Sequence, residues 1–360
     1  MKLLLTTTPG LEDVCLDEVY EITGSEGRIF GKGRVLVEGT EKDVFLLNYT
    51  SRTVNRVILL LNHGDFASLD ELYRIVKEID FPNLFSEKNT FAIRAERHGT
   101  HNFTSIDIAR ITGQAVVDSF REKKGVRIRV DLDNPDIVVR IEITQWSYWI
   151  GLDTSGESLH KRHYRVYQHP APLRPTIASA LIRLSEWDFD ESFFDPFCGS
   201  GTICIEAARY ACGIPNSSRD FLFWNLKFLP LEEFKNIKER IDGEIENKEL
   251  RIKGEDISPK HIEGAKLNAE KAGVRVEFEV GDATKIKLDW DRVVTNPPYG
   301  LRVGSLKKVR RIYEGFQMRI DEGGWKRVVV LTGVPQYLEG YSDRREILYG
   351  DLKASVLIFD

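Results

Sequence analysis

The stretch FFDPFCGSGTICIEAA, residues 193–208, runs from a short apolar strand into an acidic residue, a turn with two glycines, and a helix-like segment. In open α/β sheets, ligands bind at the carboxyl ends of the strands, where the N–H groups of the next helix point outward. Gly199 and Gly201 permit positive φ and a close approach of a ligand to the backbone, and Asp195 can contact an amine or a hydroxyl. A dinucleotide fingerprint would need a glycine where Cys204 stands, which disfavours NAD.

Strands alternate with helices from Thr176 to the C-terminus, a pattern that predicts a parallel sheet. Two more predicted strands end in acids: Glu255 and Asp256 close one, and Asp282 closes the next. A single acid in this position is commonly a helix N-cap. Three successive acidic strand ends predict a ligand site in which Glu255 or Asp256 binds sugar hydroxyls and Asp282 receives an amine. REILYG and ASVLIFD predict a hairpin that closes the sheet edge antiparallel.

This ordered set of acids resembles the S-adenosylmethionine-binding methyltransferase fold. The resemblance implies an α/β Rossmann-fold domain with S-adenosyl-L-methionine as cofactor and no metal. It also implies a set of cofactor-binding residues: Asp195, Phe197, Gly199, Gly201, Thr202, Glu255, Asp256, Asp282, Ala283, Asn296, Arg174 and Thr176. An insertion at residues 212–249 stretches the usual spacing of ~20 residues between the glycine turn and the sugar-binding acid. In relatives such an insertion covers the site with aromatic rings, whereas here FLFWNL can equally be core packing.

VVTNPPYGLRV, residues 293–303, follows the fourth predicted strand. The exocyclic amine of a purine is a poor nucleophile because its lone pair is delocalised into the ring. The side-chain oxygen of Asn296 and the backbone carbonyl of Pro297 can accept its two N–H bonds and aim the lone pair at a sulfonium methyl group, in a loop that proline makes rigid. Tyr299 offers a face for stacking an extruded base, worth ~1–3 kcal/mol.

A lone NPPY is often only a rigid turn. Behind three acidic strand ends, NPPYG resembles the catalytic motif of amino-group methyltransferases that act on nucleobases, with Asn296, Pro297 and Tyr299 as the catalytic residues. The basic run after it would lie beside the backbone of the flipped nucleotide.

The N-terminal half carries different patterns. Up to about Asn62, the order strand, helix, strand, helix predicts a small α+β layer. The segments NFTSIDIAR and DLDNPD, within residues 60–150, resemble a THUMP domain, an RNA-binding module associated with the 3′ acceptor end of tRNA. The resemblance implies a ferredoxin-like domain at 1–60, the THUMP domain at 61–153, a linker at 154–175 and the methyltransferase domain at 176–360.

Basic residues concentrate in two runs, although the net charge of −5 by itself disfavours a polyanionic partner. Phe91–Val130 holds eight basic and four acidic residues, and Tyr299–Tyr313 holds five basic residues and no acidic one. Either run alone is typical of a solvated face, but two runs beside site elements predict an RNA-binding surface. Its predicted members are Arg94, Arg97, Arg110, Arg121, Lys123, Lys124, Arg302, Lys307, Lys308, Arg310 and Arg311. His98, His101 and Phe103 can stack on or donate to RNA, and for the two histidines a plain loop role is equally open.

Composition limits the remaining classes of protein. No apolar run approaches the ~18 residues of a membrane helix, and the four cysteines lack metal-ligand spacing. We therefore expect a cytoplasmic protein without disulfide or zinc. We also expect a monomer, although composition does not determine the oligomeric state.

With a THUMP-like segment before NPPYG, the whole chain resembles the THUMP-containing tRNA guanine-N2 methyltransferases. In that group, enzymes acting on position 10 tend to carry Asp in the motif, so Asn296 favours guanosine 6 of the acceptor stem. The alternatives are guanine-N2 methylation at position 10 or in ribosomal RNA, adenine-N6 methylation of DNA, and a non-catalytic RNA-binding protein. The THUMP-like segment disfavours the DNA enzyme, and the intact acids with Asn296 disfavour a decayed site.

Overall fold

The computed structural model describes residues 1–217, 219–299, 306–350 and 352–360, which contain two β-sheets. The N-terminal half builds an eight-stranded sheet in the order β2-β3-β1-β4-β8-β7-β5-β6. Its elements are β1 (Lys2–Thr6), α1 (Glu12–Thr23), β2 (Gly27–Gly31), β3 (Arg34–Glu38), α2 (Glu41–Thr50), β4 (Arg56–Asp65), α3 (Leu69–Lys77), α4 (Phe81–Leu84), β5 (Thr90–His98), α5 (Ser105–Lys124), β6 (Arg129–Val130), β7 (Ile137–Thr144) and β8 (Ser147–Asp153).

Strand β4 joins the two N-terminal modules into one sheet, because it pairs with β1 on one side and with β8 on the other. The predicted domain boundary between residues 60 and 61 therefore falls inside a strand. Strand β4 was not predicted, since RVILLLNHGD lacks the polar alternation that identifies a half-buried strand. The predicted strand VRIRVDL is reduced to the two residues of β6.

The C-terminal half builds a seven-stranded sheet in the order β11-β10-β9-β12-β13-β15-β14. Its elements are α6 (Pro175–Leu184), β9 (Phe193–Asp195), α7 (Thr202–Ala211), α8 (Leu231–Gly243), β10 (Ile252–Asp256), α9 (Pro259–Ala272), β11 (Glu277–Val280), β12 (Arg292–Thr295), α10 (Leu306–Asp321), β13 (Arg327–Thr332), β14 (Asp343–Tyr349) and β15 (Leu352–Phe359). Strands β9 to β13 pair in parallel, and the β14–β15 hairpin adds to β13 antiparallel. The predicted parallel sheet with an antiparallel closing hairpin is confirmed.

The aromatic insertion packs into the N-terminal half. The ring of Phe45 on α2 lies 5.0 Å from that of Phe223 and 4.8 Å from that of Phe234. Leu226 forms a bridge with Phe85. Of the two interpretations of FLFWNL, core packing is therefore the one that the structure supports. No helix among the described residues has the length and apolar character needed to span a bilayer.

A buried polar network also connects the halves. Arg162 of the linker donates to the Arg52 carbonyl at 2.9 Å and to Asn216 Oδ1 at 2.6 Å. Its Nε lies 3.5 Å from a carboxylate oxygen of Glu206, a fully buried residue of α7 that also accepts from the Tyr164 hydroxyl at 2.9 Å. Helix α7 is thereby tied to both the linker and the N-terminal half.

Candidate active site

Asp195 and Asn296 lie at adjacent strand ends, because β9 and β12 pair in parallel. Thr295 donates its hydroxyl to Asp195 Oδ1 at 2.6 Å, and the Phe197 N–H donates to the same oxygen at 3.1 Å. Asp195 is only 1% exposed, and burial raises its pKa to about 7 despite these two hydrogen bonds. Its charge at neutral pH therefore depends on what binds beside it.

The two glycines of the turn do different things. Gly199 (φ 53°) donates its N–H to Asp256 Oδ2 at 3.1 Å, which joins the ends of β9 and β10. Gly201 (φ 80°) is the N-cap of α7, and a Cβ added there would lie 2.7 Å from the Phe278 ring and 3.1 Å from Ala265. The space at Gly201 is thus required for packing α7 against its neighbours, a reason different from the predicted approach of a ligand.

The two acids that end β10 differ in their hydrogen-bond partners. Asp256 accepts from the N–H groups of Gly199 and Ser258, and His261 Nδ1 lies 3.2 Å from Asp256 Oδ1. Glu255 Oε1 pairs with Lys253 at 3.1 Å, whereas its Oε2 is buried without a hydrogen-bond partner among the described residues. Asp256 therefore shapes the glycine turn, and Glu255 keeps an unused acceptor.

Asp282 follows β11 and binds the chain just after it. Its Oδ1 accepts from the Thr284 hydroxyl at 2.7 Å and from the Thr284 N–H at 3.1 Å, and Lys285 lies 3.0 Å from its Oδ2. The hydrogen bond from Thr284 lowers the pKa of Asp282, so that this carboxylate is charged at neutral pH. Ala283 beside it is buried.

The Asn-Pro-Pro-Tyr corner holds a second unused acceptor. Asn296 Oδ1 is buried and has no hydrogen-bond partner among the described residues. Pro297 is buried, and the ring of Tyr299 lies against Gly333 after β13, where an added Cβ would come within 2.5 Å of it. Burial raises the pKa of the Tyr299 hydroxyl to about 12, so the ring is neutral. The last residue of NPPYG, Gly300, lies outside the described residues.

The other predicted cofactor residues have protein partners. Phe197 packs edge-on against Phe316 with ring centroids 5.2 Å apart. Thr202 accepts from Arg165 at 3.2 Å, and Thr176 donates to Asn55 Oδ1 at 3.0 Å. Arg174 is the N-cap residue of α6, and its guanidinium lies 5.4 Å from the centroid of the Tyr349 ring.

The predicted RNA-binding residues do not form one patch. Arg110 and Lys124 lie near opposite ends of α5, ~21 Å apart along the helix axis. Arg97 contacts His101 near the start of this helix, and Arg121 and Lys123 pair with Asp118 and Asp80 near its end. Because side chains alternate along a strand, Arg94 points to the sheet face opposite the buried Ile93 and donates to the Leu132 carbonyl at 2.7 Å.

The second basic run is exposed on α10. Lys307, Lys308, Arg310 and Arg311 are exposed in its first two turns, and Arg310 pairs with Glu314 at 2.8 Å. Arg302 lies outside the described residues.

Several residues of the site were not predicted from the sequence. They are Thr295, which donates to Asp195, the buried Asn268 on α9, and the His169–His261 pair. Asn268 was detectable, because it falls on the apolar helix face of Ile262, Ala265 and Ala269. Trp146 was also missed. It is 48% exposed in the β7–β8 turn beside His101 and Phe103.

Two other features lie away from this site. Glu96, His98 and Glu142 on the N-terminal sheet have ligand atoms within 4.8 Å of one another, but Arg140 pairs with Glu96 and Arg34 with Glu142. A cavity of about 650 Å³ lies at the amino ends of β10, β11 and β12, opposite the acidic strand ends.

Comparison with known proteins identifies three domains in order. Residues 2–58 match the RlmL ferredoxin-like domain, 66–153 the THUMP domain, and 162–345 the RMKL-like methyltransferase domain. The predicted fold class and order of modules are thereby confirmed.

Two archaeal relatives cover nearly the whole chain. The tRNA (guanine(6)-N2)-methyltransferase of Archaeoglobus fulgidus is 37% identical over 378 residues, which span 100% of this chain and 92% of the relative. The enzyme of the same name from Methanocaldococcus jannaschii is 40% identical over 347 residues, 92% of this chain and 90% of the relative. The crystal structure of SMU.472, assigned as a methyltransferase and complexed with SAH, matches with a TM-score of 0.90 and 26% identity over 99% of this chain and 97% of that one.

Proposed function

The chain belongs to the RMKL-like methyltransferase family, and from that membership we propose that it methylates the exocyclic N2 of guanosine 6 in the acceptor stem of tRNA, with S-adenosyl-L-methionine as donor. The two archaeal relatives support the substrate, since they carry that name at 37% and 40% identity over almost their full lengths. The observation that carries the chemistry is the buried Oδ1 of Asn296, which has no partner among the described residues and lies at the strand end beside Asp195.

The residues at the strand ends fit this donor. A sulfonium donor is cationic and carries sugar hydroxyls, and the site offers the carboxyls of Asp195 and Asp282 and the unpartnered Oε2 of Glu255. An acceptor buried without a partner costs ~1–3 kcal/mol, a cost that a bound hydroxyl or amine would remove. The complex of SMU.472 with SAH supports the same ligand class. When bound, the donor supplies an electrophilic methyl group.

The chain itself prepares the nucleophile. Asn296 Oδ1 and the Pro297 carbonyl each accept a hydrogen bond from one N–H group of the guanine amine. These two hydrogen bonds turn the nitrogen lone pair toward the donor. The ring of Tyr299 is neutral and packs against Gly333 on one side, and in this proposal it stacks on the base. A strong general base is unnecessary, because the methylated amine is acidic and releases its proton to water.

The N-terminal half supplies RNA affinity in this proposal. The THUMP domain with Arg97, Arg110 and the exposed Trp146 contacts the 3′ end of the acceptor, and Lys307, Lys308 and Arg311 of α10 contact backbone phosphates near the target base. We expect the enzyme to act as a monomer in the cytoplasm.

Three rivals predict different products. A position-10 enzyme or a ribosomal RNA enzyme would use the same corner on another guanine, and a non-catalytic RNA-binding protein would have no use for it. Retention of two unpartnered buried acceptors, in Asn296 and Glu255, favours a working site over a decayed one.

The deciding experiment offers the purified protein a tRNA transcript and methyl-tritiated donor, followed by nuclease digestion and mass-spectrometric mapping. We expect N2-methylguanosine at position 6 only, and no label in a matched transcript with adenosine at that position. Label at position 10, label in ribosomal RNA but not in tRNA, or no label at all would each refute the assignment.

A further inference from the structure

The linker between the RNA-binding half and the methyltransferase domain touches the glycine turn of the donor site. The Tyr167 N–H donates to Asn268 Oδ1 at 2.9 Å, and Asn268 Nδ2 donates back to the Tyr167 carbonyl at 3.2 Å and to the Ser200 carbonyl at 3.1 Å. The Tyr167 ring fills the space that a Cβ on Gly264 would need. One fully buried amide therefore fastens the linker and the glycine turn to α9 together.

His169, His261, Asp256 and Gly199 form a ring of four neighbouring groups at this turn. The His169 imidazole would lie 3.6 Å from a Cβ placed on Gly199, and it packs edge-on against His261 with ring centroids 4.3 Å apart. His261 Nδ1 lies 3.2 Å from Asp256 Oδ1, and Asp256 Oδ2 accepts from the Gly199 N–H at 3.1 Å. Gly199 and Asp256 are thereby held from both sides. Burial, together with the neighbouring His261, lowers the pKa of His169, so its ring is neutral at pH 7.5.

This part of the linker is not held by the hydrophobic core. Residues 166–172 belong to none of the hydrophobic clusters of the described residues, and Val166 is 58% exposed. Tyr167 instead hydrogen-bonds to Asn268, which also donates to the Ser200 carbonyl of the turn. His169 lies beside Gly199, and Arg165, just before this segment, donates to Thr202 at the start of α7. Because these contacts lead to the glycine turn and not to the hydrophobic core, they favour a role of the linker in shaping the donor site over a role in folding.

We propose that the linker residues Tyr167 and His169 form one wall of the donor site and that His169 and His261 are positioning residues for the sulfonium donor. The ring of contacts fixes the Gly199 backbone and the Asp256 carboxylate before the donor arrives. When the ring is disrupted, both groups are free to move. Donor affinity then decreases, because binding must order them and loses the corresponding conformational entropy. The inference rests on the proposed function for the identity of the donor.

The test compares His169→Ala, His169→Phe and His261→Ala in the full chain. Calorimetry with S-adenosylhomocysteine at pH 7.5 should give a Kd about tenfold or more higher for both alanine variants, since small displacements of positioning groups carry large costs. His169→Phe keeps the edge-on packing and should bind within about threefold of wild type. Gln168→Ala, an exposed neighbour, is the matched control and should bind as wild type does.

Further readouts separate positioning from stability. His169→Ala should raise KM for the donor with kcat, RNA affinity and melting temperature nearly unchanged. The alanine effects should also be non-additive in the double variant, because both remove the same ring. Wild-type donor affinity in His169→Ala, or an equal loss in Gln168→Ala, overturns the proposal. If His169→Ala does not fold, His169→Phe and His261→Ala decide the outcome.

Failure of the proposed function gives a different pattern. A wild-type protein that binds the donor but labels no tRNA refutes the methylation of guanosine 6, while the linker variants still test the ring by calorimetry alone.

Discussion

Asn296 and Asp195 lie at adjacent strand ends but differ in their hydrogen bonds. Asn296 Oδ1 has no partner among the described residues, whereas one oxygen of Asp195 accepts from two donors. Acids at strand ends were visible in the sequence, because a strand followed by Asp and a glycine turn is a local pattern. Their partners were not visible, since Thr295 and Asp195 are brought together only by the pairing of β12 with β9. The free Oδ1 of Asn296 could not be predicted from spacing either, because it depends on which donors the fold brings near.

Replacement of Asn296 tests the proposed acceptor directly. Asn296→Ala should keep donor affinity within about threefold of wild type and lower the single-turnover rate by ~10²-fold or more, because one of two preorganised acceptors is removed. Asn296→Asp keeps an oxygen in place and should lose less. Rates within a few fold of wild type for the alanine variant would contradict the mechanism.

Asp195 should make stability depend on pH in an unusual direction. Burial raises its pKa from the ordinary 3.8 to about 7, so the folded state holds a proton that the unfolded state releases between these values. The free energy of unfolding should therefore fall as pH rises from 4 to 7, by at most ~1.4 kcal/mol per unit, and level off above. Asp195→Asn lacks this slope, and urea unfolding of both proteins across pH 4–8 measures the difference. Parallel curves would show that Asp195 is ionised throughout.

At the scale of elements, local periodicity identified the parallel sheet, its closing hairpin and the helix α5, whereas it did not identify β4 and β8. Strand β4 has five buried or half-buried apolar residues in a row because both of its faces are covered, which removes the alternation that marks a strand. Helix α10 was not predicted either, although its basic run was noted. Val309, Tyr313, Phe316 and Ile320 form its buried face, and the basic residues face outward.

The outward face of α10 should contribute phosphate contacts. Replacing Lys307, Lys308 and Arg311 with alanine should weaken tRNA binding and reduce the slope of log Kd against log salt by roughly one for each phosphate that is no longer neutralised. Filter binding at 50 to 300 mM salt measures both quantities, and the exposed Lys235 of α8 is a matched control. An unchanged slope in the triple variant would assign this face to solvent.

At the scale of the whole molecule, the modules are not separate units, since β4 belongs to both N-terminal modules and the insertion from the catalytic half completes their core. Sequence resemblance identified the modules and their order but could not show these shared elements. They depend on residues that are distant in the chain, such as Tyr49 and Asp242, whose hydrogen bond joins positions 193 residues apart. The donor turn is consequently continuous with the RNA-binding half through α7 and the linker.

We expect the connection between α7, the linker and the N-terminal half to depend on Glu206. Burial opposes its ionisation, but the guanidinium groups of Arg162, Arg209 and Arg52 keep its pKa below the usual range. Glu206→Gln removes the negative charge and leaves these cations buried without it, which should cost ~3–5 kcal/mol of unfolding free energy. Urea unfolding followed with one probe in each half should then show two transitions at different urea concentrations. Glu239→Gln on the exposed face of α8 should leave the unfolding free energy unchanged. A loss below ~1 kcal/mol would mean that the halves are held by the shared hydrophobic core alone.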